Sequence, residues 1–175
     1  MLTIGHSNRA LAELIAMLRA HGVEALVDIR TVPKSRHNPQ FNTEAMPAPL
    51  AEAGIEYIHL PALGGLRHAR KDSTNTGWKN LSFRGYADYM QTPEFAAGID
   101  QLLAIDARKK AAVMCAEAVP WRCHRSLVAD ALTARGVPVW HIMSAEKKNP
   151  HKLTSFARVE DGRVTYPGEN LELWQ

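Results

Sequence analysis

The stretch Ala111–Gly136, AAVMCAEAVPWRCHRSLVADALTARG, constrains this chain more than any other and holds both of its cysteines. Ala111 to Cys115 is a short apolar run suited to a buried strand. Ser126 to Arg135 places Leu127, Val128, Ala131 and Leu132 on one face of a helix that Gly136 ends and Pro138 does not continue. Between them lies a strand-to-helix turn carrying Cys115, Glu117, Trp121, Arg122, Cys123, His124 and Arg125. A plain connector does not need that density of reactive and charged groups, so this turn is the candidate site.

The preceding chain supplies the sheet that such a strand needs. Leu2 to Gly5 reads as a strand, and Ser7 or Asn8 is placed to cap a helix with Leu11, Leu14, Ile15 and Leu18 at helical spacing, stopped by Gly22. Val23 to Ile29 reads as the next buried strand, so a parallel crossover is the economical arrangement. A long polar loop from Asp28 to Pro39 follows, then a short helix from about Pro47 to Ala53, then a strand over Glu56 to Leu60 and the paired Gly64 and Gly65. Paired glycines let backbone approach a neighbour or ligand closely. His68 to Arg84 is polar and aperiodic and reads as an exposed loop or lid. Gly85 to Gln91 reads as a short helix, and Thr92-Pro93 opens a longer one with Phe95, Ile99, Leu102 and Leu103 on its apolar face. Val137 to Ile142 reads as a fifth strand, and Ala157 to Tyr166 as a hairpin turning at Asp161-Gly162.

The expected fold class is therefore α/β: a single domain with a mainly parallel sheet of about five strands flanked by helices, plus a small C-terminal β-hairpin. The 175 residues suit one domain, taken as 1–150, with the hairpin extension over 151–175. A hydrophobic fraction of 46% and a charged fraction of 22% make disorder the wrong default. No apolar run reaches membrane-spanning length, and MLTIGHSN lacks a basic segment followed by an apolar one. The expectation is a cytoplasmic protein without a membrane partner, whose two cysteines are thiols rather than a disulfide framework.

If the strands are parallel, the loops at His6 to Arg9, Asp28 to Ser35, His59 to Arg67 and Cys115 to Arg125 all leave carboxyl ends and converge on one rim. At that rim Cys123 sits near the first turn of a helix, where N–H groups and the helix dipole favour a thiolate. The turn lacks a Ser, Thr, Asp or Asn cap, which leaves those N–H groups free for an anion. Cys115 reads equally as a buried structural thiol, and Cys123 as mere packing. A third reading is a thiolate and imidazole metal site from Cys115, Cys123, His124 and Glu117 with His59 or His6, although no paired C-x-x-C or H-x-x-x-H spacing supports it. A fourth is nucleic-acid binding, with Arg67, Arg70, Lys71, Lys79 and Arg84 around Trp78 and Phe83.

Taken together, TIGHSN at Thr3 to Asn8, LVDIRTVPKS at Leu26 to Ser35, YIHLPALGG at Tyr57 to Gly65, MCAE at Met114 to Glu117 and CHR at Cys123 to Arg125 make the chain resemble the domain of unknown function 488 family. The resemblance reaches across about the first 142 residues. It implies a compact α/β fold and a shared set of polar positions, here His6, Ser7, Asp28, Arg30, Pro33, Ser35, Cys115, Glu117, Cys123, His124 and Arg125. It assigns no catalytic roles and no cofactor. The Asp28-x-Arg30 strand ending also occurs in rhodanese-like domains, whose single active-site loop is not reproduced here.

The leading expectation is an enzyme-like site for an anionic or phosphorylated small molecule. Cys123 or Cys115 is its nucleophile, and Glu117, His124 or Asp28 its proton carrier. His6, Ser7, Arg30, Ser35, Arg122 and Arg125 hold the ligand. No residue is assigned to a metal in that reading. The competing expectations are a noncatalytic nucleic-acid or nucleotide-binding module and the metal-binding protein. Oligomeric state is not legible in the sequence.

Overall fold

In the computed structural model, residues 1–168 are described. Four strands, β1 (Leu2–Gly5), β2 (Ala25–Asp28), β3 (Glu56–His59) and β4 (Ala111–Cys115), run parallel to β5 (Trp140–Ile142), and β6 (Lys148–Pro150) pairs antiparallel at the edge. Their order is β3-β2-β4-β1-β5-β6. The helices are α1 (Leu11–Ala20), α2 (Pro47–Glu52), α3 (Leu81–Tyr89), α4 (Pro93–Arg108) and α5 (Arg125–Ala134). The mainly parallel α/β sheet expected from the alternation of apolar runs is present, together with the C-terminal hairpin of β7 (Arg158–Glu160) and β8 (Arg163–Thr165). Asp161 and Gly162 both have positive φ, 49° and 74°, as a two-residue hairpin turn of matching twist requires.

The pleat divides the core into two layers. Leu2, Ile4, Leu26, Ala112 and Met114 pack with Leu14 and Leu18 of α1 and Leu50 of α2. Ala25, Val27, Ala111, Val113 and Cys115 pack with α3, α4 and α5 on the other face. Period-2 alternation thus sends Cys115 and its neighbour Met114 to opposite layers. Each fully buried Leu, Val or Ile in these layers contributes about 1.5–3 kcal/mol by leaving water. Val164 and Tyr166 join the α5 layer, so the hairpin is packed down; the rest of the expected C-terminal extension, 169–175, lies outside the described residues.

Several expectations change in detail. α1 begins without a side-chain cap, because Ser7 takes a left-handed conformation (φ 53°) and turns its N–H to Ala116 O at 2.8 Å. α3 begins four residues earlier than read, at Leu81, with Asn80 Oδ1 accepting from the Ser82 and Phe83 amides. The polar segment before it is not a free lid. Buried Asp88 accepts from Arg70 N, Ser73 Oγ and Asn75 Nδ2, while Asn75 Oδ1 accepts from Tyr166 N. The fifth strand is shorter than expected, and β6 is an edge strand for which no expectation was stated. Among the described residues no helix is long and apolar enough to cross a membrane.

Candidate functional site

Cys115 ends β4 on the α5 layer, and Cys123 and His124 lead into α5, so strand and helix bring them together over a short loop. His124 Nδ1 lies 3.7 Å from Cys115 Sγ and 3.9 Å from Cys123 Sγ. The three donor atoms lie within 4.8 Å of one another. On the far side of the ring, Nε2 donates to Ile29 O at 3.4 Å, and Nδ1 faces the sulfurs. The ring also packs on Tyr86, centroids 4.9 Å apart, and a Cβ at Gly65 would lie 3.0 Å from Nδ1. Sequence reading flagged the Gly64-Gly65 pair but not Tyr86, a helical residue with nothing to distinguish it from core.

The cluster forms the floor of a cleft of about 260 Å³, with Glu117 and Arg122 exposed at its sides and Phe83 and Leu66 also lining it. Both sulfurs are nearly buried, Cys115 5% and Cys123 4% exposed. The neighbouring Cys115 thiol acts with His124 and the Arg125 amide to hold Cys123 well below the ordinary thiol range against the cost of burial. The nearby Cys123 sulfur and burial push Cys115 well above it. The helix start is not vacant as expected: Ser126 N–H and Leu127 N–H donate to Cys123 O and His124 O at 3.0 Å each. The anion favoured at this terminus is the Cys123 sulfur itself.

With that geometry in place, comparison with known proteins decides the family. The model of the family described as Domain of unknown function DUF488 matches residues 10–132. The chain belongs to this family. No curated protein and no solved structure gives a match. The matched span of this DUF488 protein contains the whole cluster and stops short of β1, so His6 and Ser7 lie outside it.

The remaining candidates form a separate assembly. Register sets Asp28 beside Met114, on the α1 and α2 layer, so the pleat separates its carboxylate from Cys115. Asp28 is fully buried and takes Arg30 Nε at 2.9 Å and Nη2 at 2.5 Å, plus Tyr57 OH at 2.7 Å. Arg30 also donates to Phe41 O at 2.7 Å and to His6 Nε2 at 3.2 Å. His6 stacks on Phe41 and donates from Nδ1 to Ser7 O at 2.7 Å; burial lowers its pKa to about 4. These residues lock β1, β2 and the following loop together, and their donors are already occupied. Ser35 Oγ accepts from Asn38 N, and its own N–H donates to Asn42 Oδ1, so it organises a turn.

Arg125 also departs from expectation. It is 1% exposed, and its two terminal nitrogens donate to Glu117 O at 2.6 Å and Ala118 O at 2.9 Å, closing the β4–α5 loop. Its Nε has no partner among the described residues. Burial lowers the guanidinium pKa, and the Cys123 and Cys115 sulfurs oppose that shift. Of the three arginines expected to hold an anion, only Arg122 reaches the cleft.

The proposed basic and aromatic surface is likewise altered. Trp78 stacks on Phe83 at 4.8 Å and tilts against Tyr166 at 5.5 Å, so its ring is a packing element. A larger cavity of about 740 Å³ lies beyond the Pro120–Arg122 turn, between Trp78, Trp121, His141, Met143 and His151. Behind it a polar chain runs from Thr3 Oγ1 to His141 (2.6 Å), from His141 to His151 (2.9 Å), and from His151 Nε2 to buried Asp130 (2.8 Å). Asp130 also accepts from Thr154 and Tyr166, which ties the C-terminal segment to α5. Nothing local in the sequence links these two histidines; the fold joins them to Asp130.

Proposed function

We propose that this protein is an enzyme acting on a small anionic ligand in the cleft, with the Cys123 thiolate as its reactive group. The observation that supports it is the juxtaposition of Cys115, Cys123 and His124 at the cleft floor, where the surrounding groups favour the Cys123 anion. Cys115 is the neighbouring thiol that favours it. Arg122 at the rim attracts the ligand's negative charge, and exposed Glu117 is placed to exchange a proton between ligand and water. Asp28, Arg30, Ser35 and His6 support the rim from the opposite layer, outside the chemistry.

The test is alkylation of the chelator-treated protein by iodoacetamide, followed at each cysteine by mass spectrometry with and without inorganic phosphate. Faster labelling of Cys123 than Cys115 near neutral pH, slowed by phosphate, supports the reading. Two thiols that stay inert until the chain unfolds would remove it.

A further inference from the structure

Two cysteines and one imidazole meet at the cleft floor with no acidic group among them, and their spacing matches a particular chemistry. A tetrahedral ion with sulfur at about 2.3 Å and nitrogen at about 2.0–2.1 Å sets sulfur and nitrogen about 3.6 Å apart. Here the two sulfur–nitrogen separations are 3.7 and 3.9 Å, and all three donor atoms lie within 4.8 Å of one another. We propose that Cys115 Sγ, Cys123 Sγ and His124 Nδ1 are the three protein ligands of a zinc-class divalent cation whose fourth position opens to the cleft.

Three further observations support the assignment. His124 carries the outer contact that a ligating imidazole needs: Nε2 donates to Ile29 O, which fixes the ring with Nδ1 turned inward. Gly65 and Tyr86 both pack against the ring, so the ligand is oriented before any ion arrives. The cysteines stand on a strand end and a helix start, and the intervening loop is held by the buried Arg125 guanidinium through two carbonyl oxygens. The soft donor set of two thiolates and an imidazole suits zinc-class ions and excludes magnesium or calcium, which take oxygen ligands.

The charge balance names what fills the open position. Binding releases the thiol proton and leaves a divalent cation with two thiolates, a neutral unit, beside the cationic Arg125. The residual positive charge favours an anion at the fourth position: hydroxide, or the anionic group of the cleft ligand. The proposal rests on the reading that this cluster is the reactive centre, and it adds a control over it. The ion engages the Cys123 lone pair and masks the thiolate; its removal unmasks it.

The experiment uses the full chain, reduced and stripped with a chelator, titrated with cobalt(II). One equivalent should give a sulfur-to-cobalt charge-transfer band and the strong visible bands of a tetrahedral site, and zinc should bleach both. Cys115→Ser, Cys123→Ser and His124→Gln should each weaken binding by about 100-fold or more, since loss of an outer-shell partner alone costs about 10–100-fold. A protein that gives no such band, or whose band survives the cysteine variants, overturns the assignment. Because a variant can fail to fold, the wild type supplies a second measurement: one equivalent of zinc should protect both cysteines from iodoacetamide, and chelator should restore labelling. Labelling indifferent to zinc also overturns it. The two proposals fail separately: inert thiols in the stripped protein defeat the thiolate enzyme, whereas absent cobalt and zinc binding defeats the metal site.

Discussion

Gly65 and His124 are in contact because residue 65 has no side chain: a Cβ there would lie 3.0 Å from the imidazole Nδ1. The loop after β3 thereby sets the position of a ring that belongs to α5.

Gly65→Ala displaces that ring by a few tenths of an ångström, because the new methyl meets Nδ1 and the neighbouring ring carbon. We expect a folded protein, destabilised by about 1–3 kcal/mol through overpacking, with cation affinity about tenfold weaker. Urea denaturation and cobalt titration read the two effects. Unchanged cobalt affinity would show that the ring is positioned from elsewhere.

Asp28→Asn leaves the Arg30 guanidinium, 8% exposed, without its countercharge. Removing one partner of a buried pair costs about 3–5 kcal/mol, whereas replacing both by apolar residues is far milder. Urea midpoints should therefore fall more for Asp28→Asn than for the double variant Asp28→Leu with Arg30→Met. A single variant as stable as the parent would show that the pair does not lock the rim.

His141 carries a pH dependence whose sign follows from burial. Desolvation, aided by His151 and Arg125, lowers its pKa from 6.5 to about 3 in the folded chain. As pH falls below about 6.5 the unfolded chain takes the proton first, so the stability present above that pH is lost progressively down to about pH 3. The slope is at most about 1.4 kcal/mol per pH unit. Urea unfolding of chelator-treated protein between pH 7 and 4 measures it, and His141→Gln should reduce the slope, leaving the part of the same sign that buried His6 contributes.

Cys115→Ala removes the neighbouring thiol that favours the Cys123 anion. In the metal-free protein the pH profile of Cys123 alkylation should move upward. On the limb below the thiol pKa, each pH unit by which the profile moves lowers the thiolate fraction about tenfold. Mass spectrometry across pH 5–9 follows it. A profile that stays in place would assign the thiolate to His124 and the helix start instead.

Much of this architecture can be read from the chain, because strand and helix periods are local properties of adjacent residues. Ala111–Cys115 as a buried strand, Thr92-Pro93 as a helix start and Asp161-Gly162 as a hairpin turn follow from the residues themselves. The family resemblance reaches the same fold, and parallel connection alone predicts that four polar loops share one rim. What the sequence does not carry is the direction in which each rim residue points. Asp28 and Cys115 sit at neighbouring strand ends, yet the register that pairs Asp28 with Met114 sends them to opposite layers. Arg30 and Arg125 look like anion holders in sequence, and only tertiary contacts show Arg30 committed to Asp28 and the two terminal nitrogens of Arg125 to loop carbonyls. Residue type and local period are encoded along the chain, whereas pleat parity and the identity of hydrogen-bond partners arise only when distant segments pack. That is why the sequence by itself determined the fold and the turn that carries both cysteines, and the tertiary structure brought two sulfurs and one imidazole of the eleven candidate residues into one cluster, with Glu117 and Arg122 at its mouth.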